Sequence, residues 1–332
     1  MAIRCRRFVS VVYAGASVIT ACGSDESGRA NGGGGAENGE SGAIDASQLP
    51  YAPCPEATGV GRFEIDLLPE YTSVGGQVFD GVTPSDVATL VQSEGDCRLL
   101  RPPNLLCESG CPSETCGEGN QCVPKPVAHD LGTVTIEGLV APIQMRAGAA
   151  TANYAVTPGV RVPHPGFAPG ADLLLSTSGG DYEPIELRGW GVSPFQMGPN
   201  PITVAGGAAT SLEWGVPDEV GPARVHVSLN IDNHGSSEAR IDCDFADTGS
   251  GQIPAALIEG LFAEGTSGGP TLQIARRTAT STQIPPGCVD LLVASSPTAT
   301  GLDVTVAGLI TCDDSSPCPE GQTCDTLEHL CE

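Results

Sequence analysis

Arg224-Val225-His226-Val227-Ser228-Leu229-Asn230-Ile231-Asp232 alternates polar and apolar side chains at every step. After a turn at Asn233-His234-Gly235, the stretch Glu238-Ala239-Arg240-Ile241-Asp242-Cys243-Asp244-Phe245 repeats the alternation. A period of two puts Val225, Val227, Leu229 and Ile231 on one face of an extended strand and leaves the opposite face wet. The return strand buries Ala239, Ile241, Cys243 and Phe245 in the same way, so the two segments read as a hairpin with one buried face.

Outward from this hairpin the chain keeps the same texture, with short alternating apolar runs broken by Gly, Pro, Asn and Asp. Candidate strands fall at 62–68, 76–79, 133–139, 172–176, 185–190, 210–214, 223–232, 238–245, 271–275, 289–294 and 302–310. Helical spacing is clear in one place, through Ile253, Leu257, Ile258 and Leu261. The expected fold class is all-β: tandem β-sandwich or jelly-roll-like units with small disulfide-rich modules, behind a disordered N-terminal tether. The expected divisions are a small β unit at 51–145 with a cysteine-rich insertion at 107–122, a larger sandwich at 146–310, and a C-terminal cysteine-rich module at 311–332.

The first residues carry Arg4, Arg6 and Arg7, then a largely apolar run from Phe8 to Ala21 and a cysteine. That run is too short for a bilayer span, which needs about 20 residues, and it has the layout of a secretory signal over 1–21. Ile19-Thr20-Ala21-Cys22 resembles the lipobox of bacterial lipoproteins. The resemblance implies diacylation of Cys22 and a stable lipid anchor, since more than one acyl chain holds a protein at a membrane. Gly23 after the cysteine favours, by the same family analogy, the outer membrane or cell surface. Residues 22–50, with Gly32-Gly33-Gly34-Gly35 and many Ser, Asn and Glu, read as a flexible linker.

Of 14 cysteines, Cys5 leaves with the signal and Cys22 carries lipid, which leaves an even set for an oxidising compartment. Cys107, Cys111, Cys116 and Cys122 form one tight cluster; Cys312, Cys318, Cys324 and Cys331 form another, and each allows three pairings. Cys54, Cys97, Cys243 and Cys288 remain as isolated staples, expected as Cys54–Cys97 and Cys243–Cys288. Cys111-Pro112-Ser113-Glu114-Thr115-Cys116 parallels Cys318-Pro319-Glu320-Gly321-Gln322-Thr323-Cys324, an internal repeat of a small module. The paired Cys-x-x-Cys ligands usual for structural zinc are absent. Taken with the lipobox and the glycine-rich linker, these cysteine stretches resemble the cysteine-rich surface lipoproteins numerous in myxobacteria and related high-GC Gram-negative bacteria. The resemblance implies location and architecture and transfers no catalytic residue.

The formal charge is −25. Loss of the three signal arginines leaves 12 basic against 40 acidic residues, about −28 in all. Such a surface repels phosphate backbones and argues against nucleic acid as a partner. Lys125 is the sole lysine, and no P-loop or dinucleotide fingerprint sits between a strand and a helix.

Four groups merit weighing. Asp247-Thr248-Gly249-Ser250 matches the aspartic-peptidase tetrapeptide, but that chemistry needs a second aspartate sharing a proton; the chain has no second Asp-Thr-Gly or Asp-Ser-Gly, and the stretch reads as a polar turn after a strand. Asp232, Asp242 and Asp244, with Asn230 and Asp247 nearby, offer the hard oxygen ligands that Ca²⁺ prefers, unless Arg224 and Arg240 neutralise them. His226 and His234 lie near these carboxylates without a third ligand at a recognisable spacing. Trp190 and Trp214 are the two tryptophans, and an exposed one on a sandwich would stack on a sugar ring. No cofactor is required by any of these. The reading that follows is a membrane-anchored extracytoplasmic lipoprotein with a non-enzymatic structural or protein-interaction role. A carbohydrate- or calcium-dependent adhesive module is the alternative, and an envelope hydrolase the second alternative.

Overall fold

The computed structural model describes residues 48–331 apart from 104–106, 108–109, 112–113, 118–119, 158, 199–201, 218–220, 231–238, 266–270, 300, 313–316 and 327–329. Cys22, Asp232 and His234, together with the signal and the linker up to residue 47, lie outside the described residues. The strands in chain order are β1 (Gly59–Leu67), β2 (Thr72–Val78), β3 (Thr89–Glu94), β4 (Cys97–Arg101), β5 (Thr115–Gly117), β6 (Gln121–Val123), β7 (Val134–Glu137), β8 (Ile143–Ala147), β9 (Tyr154–Val156), β10 (Asp172–Thr177) and β11 (Glu186–Trp190). They continue as β12 (Ile202–Val204), β13 (Thr210–Glu213), β14 (Arg224–Asn230), β15 (Arg240–Ala246), β16 (Ser250–Ile253), β17 (Thr271–Ile284), β18 (Gly287–Ser295), β19 (Leu302–Val306), β20 (Cys324–Asp325) and β21 (Leu330–Cys331). One α-helix, α1 (Ala255–Glu264), is found among the described residues, and it is not long and apolar enough to cross a membrane.

The protein is all-β, as the alternation predicts. The main sheet runs β11-β10-β7-β8-β9-β2-β1-β18-β17-β14-β15-β4-β3, with β19 joined to β17 and β12 to β19. The hairpin of the sequence reading is β14 against β15, with His226 opposite Asp244 and Val227 opposite Cys243. Val225, Val227, Leu229 and Ile241 are fully buried, so the period-two reading placed the correct face inward. Pro254 precedes α1, whose Leu257, Ile258 and Leu261 are buried; Ile253, counted with the helix from sequence, closes β16 instead.

Two apolar cores lie under this sheet. The first gathers Phe63, Ile65, Val134, Ile136, Tyr154, Leu173 and Leu175, with Val289, Leu291 and Val293 from the far end of the chain. The second gathers Phe195, Val204, Trp214, Val225, Ile241, Phe245, Leu257 and Leu272, with Cys97 and Leu99 from the near end. Each fully buried large side chain contributes about 1.5–3 kcal/mol, and both cores are stocked with them. The chain from residue 44 onward forms one compact unit, and β8 runs straight across the expected division at 145/146. The cores change over between Val192 and Phe195, and each borrows strands from the other's part of the sequence, β18 for the first and β4 for the second.

The long strand β17 joins the two. Its residues 271–277 pair with β14 and its residues 276–284 with β18, so Arg276 and Arg277 lie between β14 and β18. At the first core the sheet curls until β11 backs onto it: the Thr278 and Thr280 hydroxyls donate to the Trp190 and Arg188 carbonyls at 3.1 and 2.6 Å. Gly189 permits that approach, because a Cβ there would lie 2.7 Å from Val293.

Candidate functional site

Arg276 points inward at the junction of the two cores and is 2% exposed. A buried guanidinium must find partners for five N–H groups. Nε and Nη2 donate to the two carboxylate oxygens of Asp247; Nη2 also donates to the Gly215 carbonyl at 2.6 Å, and Nη1 to the Ser193 and Pro194 carbonyls at 3.1 and 3.0 Å. The Phe195 ring lies 5.4 Å below. One side chain thus ties the connection between the cores, the end of β13 and the turn after β15.

Asp247 is therefore spoken for. The Trp214 indole N–H donates to it at 2.9 Å, and Trp214 itself is buried between Phe195 and Phe245. The Asp-Thr-Gly-Ser stretch forms the polar turn, with the Thr248 amide donating to the Ala246 carbonyl, and Asp247 faces a guanidinium and an indole where an aspartic peptidase requires a second acid.

On the opposite face of the hairpin the chain leading into β1 crosses the sheet. The Tyr51 hydroxyl donates to Asp244 at 2.7 Å and accepts from Arg277 Nε at 2.9 Å, with Arg224 and Arg277 stacked about its ring at 5.9 and 6.0 Å. Burial pushes the Tyr51 hydroxyl up to about 12. Burial also opposes ionisation of Asp244, yet the hydrogen bond from His226 and the charge of Arg277 outweigh it and hold this carboxyl below the usual range. Ala52 donates to the Ala279 carbonyl, and the Cys54 amide to Asp290 at 2.7 Å.

The calcium candidates fare accordingly. Asp244 meets Tyr51, His226 and Arg277 through its Oδ1; Asp242 is paired with Arg240 at 3.0 Å, and its Oδ1 is buried without a partner. Arg240 neutralises an aspartate as the sequence suggests, though along the strand and not across it. Arg224 instead meets Asp96 and the Asp244 carbonyl. His226 serves Asp244, and Asp232 and His234 lie outside the described residues.

The cysteines form six disulfides among the described residues. The isolated pairs are corrected: Cys54 joins Cys288 and Cys97 joins Cys243, each replacing the expected neighbour in sequence. The reason is strand order. β1 lies parallel beside β18, with Gly59 opposite Cys288, and β4 lies beside β15, with Cys97 opposite Cys243. Closing a longer loop costs only logarithmically more, so sequence distance is a poor guide. The tight clusters share one connectivity, first to third and second to fourth: Cys107–Cys116 with Cys111–Cys122, and Cys312–Cys324 with Cys318–Cys331. In each, the last two cysteines face one another across a small hairpin.

Two of the concavities among the described residues adjoin these groups. A cavity of about 460 Å³ opens between the cores, lined by Trp190, Ser193, Val216, Pro217, Arg224 and Thr248, and closed on one side by Leu49 and Tyr51. A polar groove of about 330 Å³ on the outer face holds Arg62, Glu64, Asp66, His226 and Gln273. Within it burial and the neighbouring Glu64 raise Asp66 to about 6, against the pull of the Ser296 hydroxyl.

Sequence reading missed Arg276, Arg277, Tyr51 and Asp66. Two adjacent arginines within an alternating strand were the available signal, since one of them must point inward and must then be paired.

No family model and no curated protein matches the chain. Among solved structures, the FN1–FN3 domains of chicken CNTN1 align over 71% of this chain and 68% of that one at 10% identity, with a TM-score of 0.16. A score that low supports no conclusion about fold or function.

Proposed function

We propose that this protein is an extracytoplasmic lipoprotein, held at the outer membrane or cell surface by acyl chains on Cys22, whose disulfide-stapled β ectodomain has a non-enzymatic binding or structural role. The observation that carries the reading is the Cys54–Cys288 bond, which fastens the chain just beyond the linker to a central strand of the sheet. Six disulfides fit an oxidising compartment, and paired side chains occupy the carboxylates that a hydrolase would need at Asp247 and Asp244. The test is the intact mass and non-reducing peptide map of the mature protein from its native membrane. An acylated Cys22 with the six bonds above supports the reading, and an unmodified Cys22 overturns the anchor.

A binding module is favoured over a purely structural one by Trp190, which is partly exposed on the wall of the cavity between the cores, beside polar side chains. Trp214 is core and takes no part.

A further inference from the structure

We propose that the cavity between the two cores is a binding site for a neutral, hexose-based glycan, with Trp190 as its stacking platform; this deepens the binding reading above and rests on it.

The platform is fixed before any ligand arrives. Gly221 lies against the edge of the indole, and a Cβ there would come within 2.4 Å of Trp190 Nε1, so this position accepts glycine and the ring has no room to swing toward it. The Trp190 carbonyl is held from behind by Thr278. A rigid aromatic face set in a cavity of about 460 Å³ has the size and concavity of a small-molecule site.

The polar groups match the hydroxyls of a sugar. Arg224 commits only Nη2, to Asp96 at 3.3 Å and to the Asp244 carbonyl, which leaves Nε and Nη1 without a partner among the described residues. Nε and Nη1 lie on different edges of the guanidinium, so each donates separately to a sugar hydroxyl. The Ser193 and Thr248 hydroxyls also line the cavity and carry no hydrogen bond among the described residues. Pro217, Val216 and Leu49 supply the apolar rim that the C–H face of a pyranose ring covers.

Charge decides between a neutral and an acidic sugar. Arg276 in the cavity wall is neutralised by Asp247 beside it, and the chain as a whole is strongly acidic, so its field repels an anionic glycan before Arg224 can engage it.

The test is isothermal calorimetry of the detergent-solubilised, full mature protein with cellohexaose, maltohexaose and mannohexaose, and with an oligogalacturonate as the acidic control. Saturable binding of at least one neutral oligosaccharide, weakened roughly tenfold or more by Trp190→Ala, supports the site. Val216→Tyr narrows the mouth from an exposed position and is expected to weaken binding likewise, so the test survives if Trp190→Ala misfolds. Heat from none of the neutral probes, equal affinity in both variants, or binding of the oligogalacturonate alone overturns the proposal. Failure here leaves the acylation and disulfide map of the same sample intact, so it is distinguishable from failure of the lipoprotein reading.

Discussion

Arg276 grips Asp247 with Nε and Nη2 at once, an ion pair 29 residues apart in sequence and almost wholly removed from water. Breaking such a pair from one side strands a buried charge. Arg276→Met is expected to lower stability by about 3–5 kcal/mol, and Arg276→Met with Asp247→Leu by clearly less, because the pair then disappears together. Urea midpoints of the three proteins check this; equal losses in the single and double variants would refute it.

Asp66 yields a pH prediction with a definite sign. Its folded value is raised to about 6, above the unfolded value near 4, so the native state binds the proton more tightly. The cost of holding this group ionised is then fully present above about pH 6 and fades as pH falls toward 4. Asp66→Asn is expected to stabilise the protein by about 1–2 kcal/mol at pH 8, allowing for solvent screening, and to bring no gain at pH 4. Thermal melts across that range settle it.

Tyr51→Phe deletes one hydroxyl that both gives to Asp244 and takes from Arg277. A loss of about 1–3 kcal/mol is expected, since both partners are charged. The segment ahead of Cys54 should at the same time become a faster substrate for limited proteolysis. Unchanged cleavage there would mean that the disulfide alone holds the segment.

The two long-range disulfides should matter more than the four local ones. Cys54–Cys288 spans 234 residues and Cys97–Cys243 spans 146, while the module bonds span 9 to 13. On the chain-entropy view, removing Cys97–Cys243 by double Ala substitution costs about 4–5 kcal/mol, against about 3 for a module bond. Melting temperatures of the paired variants test the order.

What was legible in the sequence was whatever a local period writes. The β14–β15 hairpin and the buried face of α1 followed from alternation and helical spacing, as did the all-β class. β17 was read only as 271–275, because Arg276-Arg277 and the Thr and Ser residues after it interrupt the apolar rhythm. The seam between the cores was invisible for a related reason. Which strands lie side by side depends on contacts such as Gly59 with Cys288, and no window of neighbouring residues records them. Tyr51 was assigned to the start of a β unit with no role, since a tyrosine beside a linker gains meaning only from the Asp244 and Arg277 that meet it in space.

The fastening at Cys54 also has a mechanical side. β18 is hydrogen-bonded to β1 along one edge and to β17 along the other, and the disulfide enters it at Cys288, opposite Gly59 and Gln283. Tension applied to the chain ahead of residue 48 first loads the Tyr51 clamp and the Ala52 amide, which can yield and re-form. It then reaches a covalent bond into a strand flanked on both sides, where no free edge offers itself for peeling. The attachment behaves like a spliced rope with a slipping hitch in front of it, absorbing small pulls while the β architecture stays shut.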